Sequence, residues 1–208
     1  MLSPNRRRPT RGEHRRAEIV AAAADLGSAE GLERLSIGGL ARAIGMSKSG
    51  LFAHFGSKEE LQLAVIDAAA AEFEAAVEIP PLASEPGLAR LRAMLDAWVA
   101  YLGAKPFRGG CFFAAASREY QSREGAVRDE LARTTGHWIA ALEEQARVAV
   151  RQRELAADLD TPLFVFRLHA YVQQANWMRE LFDDPHAFAR ASLAIASTLD
   201  AASAPEET

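Results

Sequence analysis

The chain has 208 residues, 49% apolar and 25% charged, enough to bury a proper core in one long domain or two small ones. No run approaches the eighteen or more apolar residues of a membrane-spanning helix, no apolar signal core follows the N-terminal arginines, and a lone cysteine, Cys111, excludes an internal disulfide or a cysteine-rich zinc site. A cytoplasmic protein with no membrane partner is expected. The net charge of −4 is uneven: residues 1–58 hold ten Arg/Lys against five Asp/Glu, and the other 150 residues hold fourteen against twenty-three. The basic end is where a polyanionic partner would be met.

Apolar residues recur at helical spacing throughout and no segment alternates with period two, so the predicted fold is all-α with nine helices. Thr10 and Glu13 have capping-box spacing and open a first helix with Ile19, Ala23 and Leu26 on one face, ending near Gly31. Ser36 caps a second helix with Ile37, Leu40, Ala41 and Ile44 on its inner face, and Gly45 supplies the turn. Ser47 opens a third, about two turns long, that stops at Phe55 and Gly56. Ser57 with Glu60 forms another capping box, from which a fourth helix carrying Leu61, Val65 and Ala68 reaches about Val77. The proline-rich run from Ile79 to Gly87 is expected to be non-helical.

Beyond it Leu88, Leu91, Leu95, Trp98 and Leu102 form a fifth stripe, broken by Pro106 and the Gly109-Gly110 pair. That break reads as either a pocket entrance or a helix stop. A short helix from Cys111 to Gln121 follows, then a long one through Val127, Leu131, Trp138 and Leu142 to about Arg153. Thr161-Pro162 and Asp184-Pro185 read as cap plus first-turn proline for the last two helices. The expected domains are an arm and DNA-binding unit at 1–57, a connecting helix at 58–78 and a larger unit at 79–200, with a disordered tail at 201–208.

The segment SIGGLARAIGMSKSGLFAHFGSK, Ser36 to Lys58, has helix-turn-helix logic: two short helices, a glycine turn, and small or cationic exposed positions on the second. A recognition helix enters a major groove about 12 Å wide, where small residues let the backbone approach. Ser47, Lys48, Ser49 and Gly50 meet that need, while Leu51 and Phe55 pack backward on Ile37, Leu40 and Ile44. Helix starts at Ser36 and Ser57 are suited to phosphate, and Arg11 and Arg15, with Arg6, Arg7, Arg8 and Arg16, make a basic arm.

Ala41, Gly45, Ser47, Leu51, Phe52, His54, Phe55, Ser57, Lys58 and Leu61 together resemble the signature of the tetracycline-repressor (TetR) family over about fifty residues. Phe52 departs from the family's usual tyrosine, whose hydroxyl typically contacts a phosphate. The resemblance implies that Lys58 grips the backbone. It also implies an Ω-shaped homodimer on a palindromic operator in double-stranded DNA, with a C-terminal pocket whose ligand moves the two recognition helices apart. Repression is the family's usual outcome. No cofactor is expected.

The eighth helix is apolar on more than one face, which calls for cover on both sides. Phe164 and Tyr171 with Phe188, Ser192 and Ile195 of the ninth are the candidate dimer residues. Candidate pocket residues are Trp98, Tyr101, Cys111, Phe112, Trp138, His169, Gln173 and Trp177, aromatic walls with a few polar groups, suiting a small apolar or aromatic effector. Two alternatives remain: an architectural DNA binder without a ligand, and an enzyme using Cys111 with His137 or His169. The second is thin, since the histidines show no metal-ligand spacing and no phosphate-binding glycine loop is present.

Overall fold

The computed structural model describes residues 10–204, and among these there are nine α-helices and no strand. They are α1 (Arg11–Glu30), α2 (Ile37–Ala43), α3 (Lys48–Phe52), α4 (Lys58–Phe73), α5 (Leu88–Gly103), α6 (Phe112–Tyr120), α7 (Ala126–Arg151), α8 (Thr161–Phe182) and α9 (Ala187–Ala201). Arg6, Arg7 and Arg8 lie outside the described residues.

The starts of the first four helices follow the capping signals. Thr10 and Glu13 close a reciprocal box, and the Oγ atoms of Ser36, Ser47 and Ser57 accept from Gly39, Gly50 and Glu60 N–H at 3.1, 3.0 and 3.0 Å. Ser57 differs from the predicted box: the Glu60 carboxylate accepts from Gly56 N, one residue too early to be reciprocal. Gly45 turns the chain at φ +66°, a conformation a Cβ would strain.

Four expectations change. The run from Ile79 is not wholly non-helical: α4 passes through a π-helical turn at Glu74–Glu78 into a 3₁₀ turn at Pro80–Ala83, whose first-turn prolines lack only N–H groups that would have had no partner. Asp160 rather than Thr161 caps α8, accepting from Leu163 N at 3.0 Å. Asp184-Pro185 forms a turn before α9, with the Asp184 carboxylate accepting from His186 N, and α9 starts at Ala187. Residues 201–204 are held, not disordered: Ala202 is buried, its carbonyl accepts from Ala156 N, and Ala204 N donates to Glu154 O.

Two cores form. Ile19, Leu40, Leu51, Phe55, Leu61 and Val65 fill the first, which is closed from behind by Phe107, Phe112, Tyr120, Val127 and Leu131. Leu91, Leu95, Trp98, Leu142, Leu168 and Val172 lead the second. Each such side chain contributes roughly 1.5–3 kcal/mol by burial. Helix α6 belongs to both cores.

Candidate functional site

On the first unit, packing separates an inner from an outer face. Leu51 and Phe55 are 0% and 1% exposed against α2, as the spacing predicts, and this leaves Ser47, Lys48, Ser49 and Phe52 facing out. Gly50 and His54 are half-buried at the edge of this face. The α3 helix is only five residues long, so its outward face is compact. Ser36, Arg34 and Arg42 add a neighbouring groove; the two arginines escaped the sequence reading, although they flank the Ser36 cap at −2 and +6. Arg11 is exposed, whereas Arg15 is paired with Glu18 at 2.8 Å and the Arg16 guanidinium lies 4.8 Å from the Phe55 ring centroid.

Lys58 does not stand free at the start of α4. Its Nζ donates to the Glu33 carbonyl and pairs with Glu33 Oε1 at 2.8 Å. Tyr120, from the end of α6, donates to Glu33 Oε2 at 2.7 Å and accepts from Gln62 Nε2 at 2.8 Å, while Gln62 also donates to Leu32 O. Glu33 N in turn donates to the Glu119 carboxylate at 3.2 Å. The Lys58 ammonium and the Tyr120 hydroxyl hold the Glu33 carboxyl down to a pKa of about 2. The family resemblance implies a phosphate contact for Lys58; here two of its three donors hold Glu33, and Glu33 with Tyr120 ties the α1–α2 connection to α4 and α6.

A second clamp is made by the segment before α6. Gly109 N donates to Ser28 Oγ at 3.2 Å, Arg108 N donates to Asp25 Oδ1 at 2.9 Å, and a Cβ on Gly109 would lie 2.0 Å from the Ser28 carbonyl oxygen. The break at Pro106–Cys111 follows the end of α5, its Cys111 lines the cavity described next, and at Gly109 it has a further role. It is a backbone contact on the C-terminal end of α1 that only glycine fits.

The larger unit, with the end of α4, forms an open-mouthed cavity of about 280 Å³. Trp98, Cys111, Trp138, His169 and Gln173 line it. Trp138 stands edge-on to Phe73 (5.1 Å between centroids) and to Trp98 (5.5 Å), and His169 lies 5.1 Å from Trp98. Three expected residues do not line it. Tyr101 sits behind Phe73, edge-on at 5.5 Å; Phe112 turns into the first core; and Trp177 faces a shallower cleft beside Arg118, packed on Phe182. Their places are taken by Phe73, Glu74 and Glu78 at the end of α4, by Phe113, and by Thr134 and His137 of α7. Burial pushes the Glu78 carboxyl up, with His137 Nε2 at 3.5 Å, and keeps His169 neutral.

Cys111 caps α6, its Sγ accepting from Ala114 N at 3.4 Å. Burial pushes its thiol up. Phe164 and Ile195, expected at the dimer surface, are buried inside one chain at 2% and 4% exposure. Tyr171, Phe188 and Ser192 are half-buried, and Tyr171 accepts from Thr198 Oγ1. Neighbouring positions turn outward instead: Leu163, Phe166 and Leu193 are exposed, because residues one or two apart on a helix face different sides.

Two family models match the chain. Residues 19–65 match the bacterial regulatory proteins of the tetR family, and residues 87–195 match the tetracyclin repressor-like C-terminal domain. The chain belongs to the TetR family of transcriptional regulators. Its fold is similar to that of a TetR regulator from Chloroflexus aurantiacus (TM-score 0.85, 21% identity, 92% of this chain and 97% of that one). A TetR-family regulator from Cytophaga hutchinsonii is also similar (0.82, 16%, 96% and 100%), as is AibR in complex with isovaleryl coenzyme A and operator DNA (0.70, 22%, 92% and 99%). No curated protein matches the sequence significantly. Among the described residues of this TetR-family chain, no helix is long and apolar enough to cross a membrane.

Proposed function

We propose that this regulator binds a palindromic operator as a homodimer, reading each half-site with Ser47, Lys48, Ser49 and Phe52, and that a small, largely apolar or aromatic ligand in the cavity releases it, giving repression. The observation that carries this is the position of α6. Its first turn brings Cys111 and Phe113 to the cavity, and its last residue, Tyr120, is bonded to Glu33 beside the DNA-binding unit. A ligand that displaces the start of α6 therefore acts on a rigid rod whose other end holds the α1–α2 connection.

Arg34 and Arg42 join the candidate phosphate contacts, since neither has a carboxylate partner among the described residues. Leu163, Phe166 and Leu193 supply the apolar face on which a second copy is expected to pack, placing two recognition helices about 34 Å apart. The test is selection of bound sites from genomic fragments, followed by sedimentation of the complex. Enrichment of a palindrome bound by two chains is expected. A protein that enriches no site above non-specific binding overturns the reading.

A further inference from the structure

Phe52 is 45% exposed, and among the described residues of α1 to α4 it is the only large apolar side chain left exposed. On α3 it follows Ser49 by three residues and Lys48 by four, so the ring shares their outward face, while Leu51 beside it is fully buried. Ala53 is exposed as well. The outward face is therefore serine and lysine at its start and apolar at its end. The same unit presents Lys48 and Arg42, both exposed and without a carboxylate partner among the described residues. A second copy would bring the same cations against these, whereas a polyanion complements them.

Chemistry narrows what the ring can read on DNA. Phenylalanine has no donor and no acceptor, so it reads no hydrogen-bond pattern and offers a phosphate no bond. Set against an amino, carbonyl or ring-nitrogen edge of a base, it would strip water without returning a hydrogen bond. One group in the major groove has the matching character: the C5 methyl of thymine, which an apolar side chain can cover. Burying that methyl under the ring also removes the exposed aromatic surface from water.

Resting on the operator-binding reading, we propose that Phe52 is a specificity-determining residue whose ring packs on the C5 methyl of one thymine in each half-site, and so fixes that base.

The experiment replaces each thymine of the selected operator in turn, in both half-sites together, by deoxyuridine, which keeps every hydrogen-bonding group and lacks only the methyl. Affinity of the full chain is read by fluorescence anisotropy. One symmetry-related pair of thymines is expected to be methyl-sensitive, its replacement weakening binding by about fourfold per half-site and so about fifteenfold for the pair, the worth of burying one methyl-sized group. Phe52→Ala should bind the thymine and deoxyuridine operators alike at that pair, within about twofold, while the salt slope stays unchanged because no phosphate contact is lost. If Phe52→Ala does not fold, Phe52→Gln, which keeps a long side chain without the ring, takes its place in the comparison. An operator with no methyl-sensitive pair, or a sensitivity that survives loss of the ring, overturns the proposal. A free chain that loses its dimer on Phe52→Ala puts the ring at a contact between copies and overturns it as well. The two readings fail separately: an enriched palindrome without a methyl-sensitive pair removes this inference alone, and no enriched site removes the regulator reading and this one with it.

Discussion

Replacing Lys58 by alanine tests whether this lysine serves DNA or the fold. Each phosphate neutralised by a free cation adds about 0.9 to the slope of log affinity against log salt. Lys58 is not such a cation, because Glu33 holds it at 2.8 Å and its charge is already balanced. Lys58→Ala should therefore change the slope by about 0.3 or less, whereas Lys48→Ala and Arg42→Ala should each lower it by about 0.9. The loss from Lys58→Ala should appear in stability. Both partners are more than a third exposed, so the ion pair contributes under about 1 kcal/mol. The bond to the Glu33 carbonyl adds about as much again, for a total of about 1–2 kcal/mol. Fluorescence anisotropy on the selected operator between 50 and 200 mM salt, paired with urea unfolding, reads both quantities. A slope drop near 0.9 with an unchanged urea midpoint would show that Lys58 leaves Glu33 for a phosphate, and would refute the reasoning.

Glu33→Gln should show the pH signature of a depressed carboxyl. Its stabilisation, about 1–2 kcal/mol after discounting for exposure, is full above the unfolded value of about 4.5 and is lost as pH falls through the folded value of about 2. Wild type minus variant should thus be largest at pH 6 and less than half as large at pH 3 by urea unfolding; a pH-independent difference would remove Glu33 as its source. Gly109→Ala drives a Cβ into the Ser28 carbonyl and is expected to destabilise by about 2–3 kcal/mol, so a urea midpoint within error of wild type would show that the clamp yields freely. Leu193→Arg, at a site 72% exposed, should leave the chain folded and give monomers in sedimentation. Dimers would place the interface elsewhere.

The helices were legible because their signals are local. Thr10, Ser36, Ser47 and Ser57 each cap the helix they were expected to cap, and period-3.6 stripes separated Leu51 and Phe55 from the outward Ser49 and Phe52. Pocket membership was only partly legible. Thr134, His137 and Trp138 share one face of α7 at i, i+3 and i+4, a pattern present in the sequence. Glu78 lies in the π turn that follows Phe73, and nothing in EAAVEIPP announces that turn. The Lys58–Glu33–Tyr120 junction joins residues 25 and 87 positions apart, a distance over which no periodicity speaks.

The misplacement of Phe112 shows how the two units are coupled. Phe112 and Phe113 are adjacent on α6, so their side chains diverge: Phe112 is buried in the first core near Gly27, and Phe113 lines the cavity. The two rings still touch edge to face at 5.4 Å, and Phe113 also meets Phe73 at 6.3 Å. A ligand that pushes Phe113 outward must move Phe112, whose neighbours are Phe107 and the glycine face of α1, where a Cβ at Gly27 would lie 3.7 Å from the Phe112 ring. Close-packed interiors transmit such a displacement and do not absorb it. The push also reaches α1 through Gly109 on Ser28, and the α1–α2 connection through Tyr120 on Glu33, so the first unit receives it just before α6 and at the end of α6. The sequence places a phenylalanine pair at this seam, and on the proposed function the seam is where occupation of the cavity would become a shift of the first unit.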